Sequence, residues 1–262
     1  MSLRGVRIAV TRPEGQASDL MRALEDEGAH VLAVPLIRVV RAEDPAPLER
    51  AARRIGSFDW IVFTSVNAVR FFMEALARTD APPQQALAHV AVACVGPATA
   101  DALRTAGVAI DAMPDEFVGD ALAGAMARAG RLAGSCVLWP RAAGARTTIA
   151  EMLRAAGAEV DDPVAYRSEP DVAGASRLAE VVLQKGVDVV TFASPSAVHA
   201  LVSELADPGE VEVAAIGPVT AAAARVAGYR VRVVSEEYTA AGLVAALRMR
   251  FMDNDDVVQE ES

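Results

Sequence analysis

The chain has 262 residues, 53% of them hydrophobic and only 5% aromatic, with a net charge of −10. That length fits one large domain or two small ones, with a core built mainly from Ala, Val and Leu. The acidic balance argues against a nucleic-acid binder. No apolar run approaches the roughly 18 residues of a membrane span, and the first apolar run is too short for a signal peptide, so a cytoplasmic protein is expected.

Taken in order, RIAVT from Arg7 reads as a buried strand, and Asp19–Glu27 reads as a helix closed by Gly28. HVLAVPLIRV is the next strand, followed by the strand WIVFTS and the helix NAVRFFMEAL. VAVACVG is a strand and PATADALRTAG a helix with Pro early and Gly at its end. AIDAMP is read as a strand and GDALAGAMARA as a helix. The series then recurs with CVLWP, a helix over Thr147–Ala156, EVDDPVAYR, VDVVTFAS, VEVAAIG and YRVRVV. Residues 251–262 read as a disordered acidic tail. Cys94 and Cys136 lie in apolar runs and read as reduced core residues.

The recurrence is one of residues as well as of elements. Shifted by 129 positions, residues 7–76 fall on 136–205, matching Arg12 with Arg141, Gly15 with Gly144, Arg38 with Arg167, Phe63 with Phe192 and Ser65 with Ser194. With an offset of 121, VAVACVGPATADALRTAG falls on VEVAAIGPVTAAAARVAG, and Phe117 falls on Tyr238. A period this long describes two copies of a domain-sized arrangement rather than a solenoid. Strands with continuous apolar runs, alternating with helices, predict an α/β protein whose parallel sheets are covered on both faces. Five strands per copy suit two flavodoxin-like doubly wound domains. The simplest division cuts near residue 130. A swapped division joins 1–36 to 172–250 as domain 1 and leaves 42–165 as inserted domain 2, with 37–41 and 166–171 as paired linkers.

In such sheets ligands bind beyond the carboxyl ends of the strands. The loops expected there carry Thr11-Arg12, Thr64-Ser65-Val66-Asn67, Gly96-Pro97-Ala98-Thr99, Pro140-Arg141, Ser194-Pro195-Ser196 and Gly217-Pro218-Val219-Thr220. Free N–H groups at helix starts attract carboxylates or phosphates. The plain reading makes these hydroxyls ordinary helix caps. Their recurrence in both copies favours two surfaces gripping one large anionic ligand. A dinucleotide-binding glycine loop, a P-loop and a nucleophile elbow are all missing from the sequence, so neither a nucleotide cofactor nor acyl-enzyme chemistry is expected. His30, His89 and His199 are scattered and read as surface or packing residues, so no metal site is expected. Tyr166 replaces Ile37 of the first copy, and a phenol is a side chain suited to weak proton donation. Its plain alternative is a half-buried strand aromatic with a bonded hydroxyl.

The ordered set VFTSVNAV, VGPATA, FVGDAL, TFASPSAV, AIGPVTA and YTAAGL resembles the uroporphyrinogen-III synthase family, in order and spacing, up to about Arg250. The resemblance implies a cytoplasmic, monomeric, cofactor-free and metal-free lyase, made of two domains joined by a two-stranded linker. It implies hydroxymethylbilane as substrate and a transient contact with the enzyme that precedes it in the pathway. Ring closure would pass through an azafulvene and a spiro intermediate that inverts ring D. Tyr166 matches the family tyrosine that helps the hydroxyl leave. Thr64, Ser65, Thr99, Ser194, Ser196 and Thr220 match loop positions near the substrate, and Asn67 lies on one of those loops. Arg12, Arg141 and Arg167 are candidate carboxylate contacts by charge. Glu212 departs from relatives that carry a basic residue there, and receives no role. The rival readings are a non-catalytic two-domain binder of the periplasmic type, a nucleotide-sugar transferase and a receiver-like regulator.

Overall fold

A computed structural model describes residues 2–13, 15–79, 82–114, 119–130 and 132–259. The elements run β1 (Arg7–Val10), α1 (Ser18–Asp26), β2 (His30–Ala33), β3 (Ile37–Arg41), α2 (Ala46–Arg53), β4 (Trp60–Phe63), α3 (Val66–Leu76), α4 (Pro83–Ala86), β5 (Ala91–Cys94), α5 (Pro97–Thr105) and α6 (Gly119–Ala129). They continue with β6 (Cys136–Leu138), β7 (Arg141–Ala142), α7 (Thr148–Ala155), β8 (Glu159–Asp161), β9 (Val164–Pro170), α8 (Val172–Leu183), β10 (Val189–Phe192), α9 (Pro195–Val202), β11 (Glu212–Ala215), α10 (Pro218–Val226), β12 (Arg230–Val234) and α11 (Ala240–Gln259). The chain divides into two compact units, one of Met1–Arg38 with Glu169–Ser262 and one of Val39–Ser168.

The first unit holds the sheet β12-β11-β10-β1-β2, with every pair parallel. Alternate residues along its strands feed two separate cores. Ile8, Val10, Val189 and Ala214 pack on Leu20 and Leu24 of α1 and on Leu243 and Leu247 of α11. Ala9, Val190, Phe192 and Val213 pack on Leu178 of α8 and on Val198 and Leu201 of α9. A period of two with both faces apolar produces this two-sided burial. Each fully buried Leu or Val contributes about 1.5–3 kcal/mol over its exposed state.

The second unit repeats the plan in β5-β4-β6-β8, again parallel. One face sets Ile61, Phe63, Val92 and Leu138 on α2, α3 and α5, and the other sets Trp60, Val62, Ala93 and Val137 on α6 and α7. The pairing registers coincide. Ile8↔Val189 and Ala9↔Val190 in one sheet become Val137↔Trp60 and Leu138↔Ile61 in the other at the 129-residue offset. Ala214↔Val233 becomes Ala93↔Ala112 at the 121-residue offset. An aspartate fixes each register. The Arg7 amide donates to Asp188 Oδ2 over 2.8 Å, and the Cys136 amide donates to Asp59 Oδ2 over 2.7 Å. The return bonds are also shared, because the Asp188 and Asp59 amides each donate, at 2.9 Å, to the carbonyls of Arg7 and Cys136.

Several elements differ from expectation. Pro35 and Pro163, which cannot donate to a ladder, split two expected strands into β2 with β3 and β8 with β9. AIDAMP forms a single bridge at Ala112. The segments read as paired linkers, 37–41 and 166–171, fall on β3 and the end of β9, which with β7 form the three-stranded sheet β3-β9-β7. Helix α11 runs on to Gln259, over most of the segment read as a disordered tail; Leu243 and Leu247 anchor its first turns, and extending a nucleated helix costs little. Cys94 is buried as expected, whereas Cys136 is half-buried, at the start of its strand. Phe117 and residues 260–262 lie outside the described residues.

Asp188 makes a bidentate pair with Arg7, at 2.5 Å for Nη2 and 3.1 Å for Nε, and the hydrogen bond from Arg7 holds its carboxyl below the usual range. A depressed native pKa stabilises the fold above the unfolded value of about 3.9, and that contribution fades as pH falls through the native value. Asp188→Asn is therefore expected to lower the urea midpoint at pH 7, with the gap to wild type narrowing as pH falls from about 5 toward 3. A gap that stays constant over this range contradicts the assignment.

Candidate functional site

Because every strand pair in the five-stranded and four-stranded sheets is parallel, the carboxyl ends of the strands in each of these sheets share one edge. In the first unit the adjacent strands β11, β10 and β1 lead into Gly217–Thr220, Ser194–Ser196 and Thr11-Arg12. In the second unit β5, β4 and β6 lead into Gly96–Thr99, Thr64–Asn67 and Pro140-Arg141. Neighbouring strands lie about 4.8 Å apart, so each triplet of loops is contiguous. The expected loop residues are thus gathered within each unit.

The caps are matched. Ser65, at φ −160° and ψ 152°, accepts from the Ala68 amide over 3.1 Å. Ser194, at φ −158° and ψ 155°, accepts from the Ala197 amide over 3.3 Å. The plain capping role is therefore filled at both positions. Ser196 is exposed and Asn67 half-buried. Thr99 and Thr220 are each only 4% exposed and close the first turns of α5 and α10 against their sheets. Thr64 accepts from the buried Trp139 indole over 3.3 Å.

The two loop arginines have diverged. Arg141 donates through Nε to Asp162 Oδ2 at 2.8 Å and to the Asp162 carbonyl at 3.1 Å, with both side chains only about a fifth exposed. Arg12 stands at the matching position, but the residue matching Asp162 is Ala33. Among the described residues Arg12 makes no ion pair; its one hydrogen bond is a 3.4 Å contact to the Gln16 carbonyl. Burial lowers its pKa, opposed by nearby Asp19. A partly desolvated guanidinium without a carboxylate partner is suited to receive one from a ligand.

Tyr166 lies on β9, 8% exposed. Its hydroxyl is 2.8 Å from Ser65 Oγ, and its ring stacks on Phe71 with centroids 5.8 Å apart and planes 13° from parallel. The Arg70 guanidinium lies 4.3 Å from the centroid of the Phe71 ring and donates to the Val39 carbonyl. Sequence reading missed this stack, although Phe71 lies on the apolar stripe of α3. It also missed Tyr238, which is 66% exposed and covers Gly217 so closely that a Cβ there would meet the ring at 2.9 Å.

Glu212 begins β11, at the edge opposite the ligand loops, and pairs with Arg250 at 2.7 Å. The repulsion feared from its charge therefore does not fall on these loops. His30, His89 and His199 are exposed. Among the described residues no three His, Cys, Asp or Glu side chains are grouped to hold a metal ion.

A family model described as uroporphyrinogen-III synthase HemD matches residues 18–245. The chain is 30% identical over 257 residues to the uroporphyrinogen-III synthase of Synechococcus elongatus, covering 94% of this chain and 95% of the relative. Its fold is similar to that of a mutant uroporphyrinogen III synthase from the extremely thermophilic bacterium Thermus thermophilus, at TM-score 0.56 and 23% identity, over 95% of this chain and 100% of the other. It is similar also to uroporphyrinogen-III synthetase from Helicobacter pylori, at TM-score 0.59 and 16% identity, over 93% and 99% of the two chains.

Arg141→Met is expected to lower the unfolding free energy by about 1–3 kcal/mol, because Asp162 loses a charged partner in a poorly solvated place. Arg12→Met should change it by less than about 0.5 kcal/mol. Urea denaturation distinguishes the two, and equal losses would contradict the difference in pairing.

Proposed function

The chain belongs to the uroporphyrinogen-III synthase family, and from that premise we propose that it closes hydroxymethylbilane to uroporphyrinogen III with inversion of ring D. The observation that carries this reading is the family match over residues 18–245. The loop chemistry supports it. The substrate is a flexible chain with eight carboxylates, and the unpaired Arg12 with the helix-start amides beyond Ser65, Ser194, Gly96 and Gly217 suits several of them. Thr64, Ser65, Asn67, Thr99, Ser194, Ser196 and Thr220 are the proposed substrate contacts on these loops. Arg141 joins them only as a support, since Asp162 already holds it.

The reaction starts with loss of the terminal hydroxyl. Tyr166 gives its proton to that oxygen, water leaves, and the pyrrole nitrogen lone pair forms the azafulvene. The substituted carbon of ring D attacks the exocyclic carbon and makes a spiro centre. One bond of that centre breaks, the ring turns over, and closure at the other carbon follows. The proton released on rearomatisation restores the Tyr166 phenol, so substrate becomes product plus one water. No electron acceptor is consumed. Most of the acceleration comes from holding the two ends of the chain in a reactive arrangement, and general acid help contributes about 10²–10⁴-fold. We place the protein in the cytoplasm as a monomer, receiving its unstable substrate in transient contact with the enzyme that makes it. No helix among the described residues is long and apolar enough to cross a membrane.

The test is an assay with freshly made hydroxymethylbilane, followed by oxidation and chromatography of the isomers. Wild type is expected to give the type III isomer, and Tyr166→Phe to lose about 10²-fold or more in kcat while still giving type III. Wild-type reaction yielding only the spontaneous type I isomer would overturn the proposal, and an unchanged kcat for Tyr166→Phe would remove that residue from the mechanism.

A further inference from the structure

Two residues of one helix meet the Tyr166 side chain at its hydroxyl and at its ring face. Ser65 caps α3 and meets the phenol at 2.8 Å, while Phe71, from the same helix, stacks on the ring. The Ser65–Tyr166 hydrogen bond can run in either direction, and the two directions differ in what they leave the phenol free to do. A serine hydroxyl carries one hydrogen and two lone pairs. One lone pair of Ser65 is taken by the Ala68 amide. That leaves the serine hydrogen able to reach the phenol oxygen. If Ser65 donates, the Tyr166 hydrogen is turned away from Ser65; if Tyr166 donates, its proton is tied up in the protein. Only the first orientation presents an acidic hydrogen to anything else.

We propose that Ser65 is a positioning residue that donates its hydroxyl hydrogen to Tyr166 Oη, directing the Tyr166 proton outward and stabilising the phenolate left after that proton is given up. This rests on the reading of Tyr166 as the proton donor. It revises the simpler view of Ser65 as only a loop contact to the substrate. The hydrogen bond strengthens when its acceptor becomes an anion, so its effect falls on the step that makes the anion. The amino terminus of α3, which Ser65 caps, adds in the same direction through its positive dipole end. Phe71 holds the ring plane, so the oxygen stays within reach of Ser65.

Three substitutions separate the possibilities. Ser65→Ala removes both cap and donor. Ser65→Thr keeps both. Ser65→Asp keeps a capping oxygen but has no hydrogen to donate when ionised. With hydroxymethylbilane as substrate, Ser65→Ala and Ser65→Asp are expected to lose about ten- to a hundredfold in kcat with little change in KM, while Ser65→Thr recovers most of it. Melting temperature should fall for Ser65→Ala but stay near wild type for Ser65→Asp. In a Tyr166→Phe background, Ser65→Ala should cost no further kcat, since the serine acts through the phenol. A Ser65→Asp enzyme with wild-type kcat, or a full additional loss on top of Tyr166→Phe, would overturn the inference. If Tyr166→Phe alone leaves kcat unchanged, it is the underlying proton-donor reading that fails.

Discussion

The five-stranded and four-stranded sheets are each fixed by one aspartate reaching across a parallel pair that joins distant parts of the chain. Asp188 holds the amide of Arg7 and Asp59 holds that of Cys136, both at the amino end of the pair. In the first unit this pairing brings together residues 181 positions apart. The rest of the arrangement follows from it. Once β1 lies parallel to β10, and β6 parallel to β4, a helix must cover each return path, and the helices that follow β1, β4, β5, β10 and β11 start at the carboxyl edges of their sheets. The hydroxyl and glycine loops are neighbours because strand direction leaves them nowhere else to be.

Having the same framework twice has not kept the two loop sets identical. Ser65 and Ser194 share their backbone angles and their bond to the third helical residue. Arg12 and Arg141 share a position but not a partner, and a single residue, Ala33 against Asp162, separates them. One arginine is held by a carboxylate of its own unit, and the other, among the described residues, makes no ion pair. A similar divergence separates Tyr166 from Ile37. Both occupy the strands where the chain passes from one unit to the other, yet only Tyr166 carries a hydroxyl to meet a cap serine.

Much of the fold was legible in the sequence because buried parallel strands are continuous apolar runs, and WIVF and VVTF need no context to be read as such. Glycine and proline marked many of the helix ends. Breaks inside longer runs were harder, since Pro35 and Pro163 could equally have ended a strand at a bulge or an edge. The first turns of α11 depend on Leu243 and Leu247 packing into the core, which the polar sequence farther along the helix does not announce. The site was legible as residue types at strand ends and not as contacts. Nothing in the chain between Ser65 and Tyr166 announces that residues 101 positions apart share a hydrogen bond. The Asp162 partner of Arg141 was equally hidden, because ion pairs depend on side-chain reach across a turn.

The proposal tested most directly is that a tetrapyrrole is bound at the carboxyl-end loops of the parallel strands and not at the opposite edges. Hydrogen–deuterium exchange on the full chain, with and without uroporphyrinogen III kept reduced, addresses it directly. Slower exchange is expected at amides 65–68, 96 and 98–100, 194 and 196–197, and 217 and 219–221, with amides 57–59 and 186–188 at the opposite edges unchanged. Protection confined to those opposite edges would contradict it.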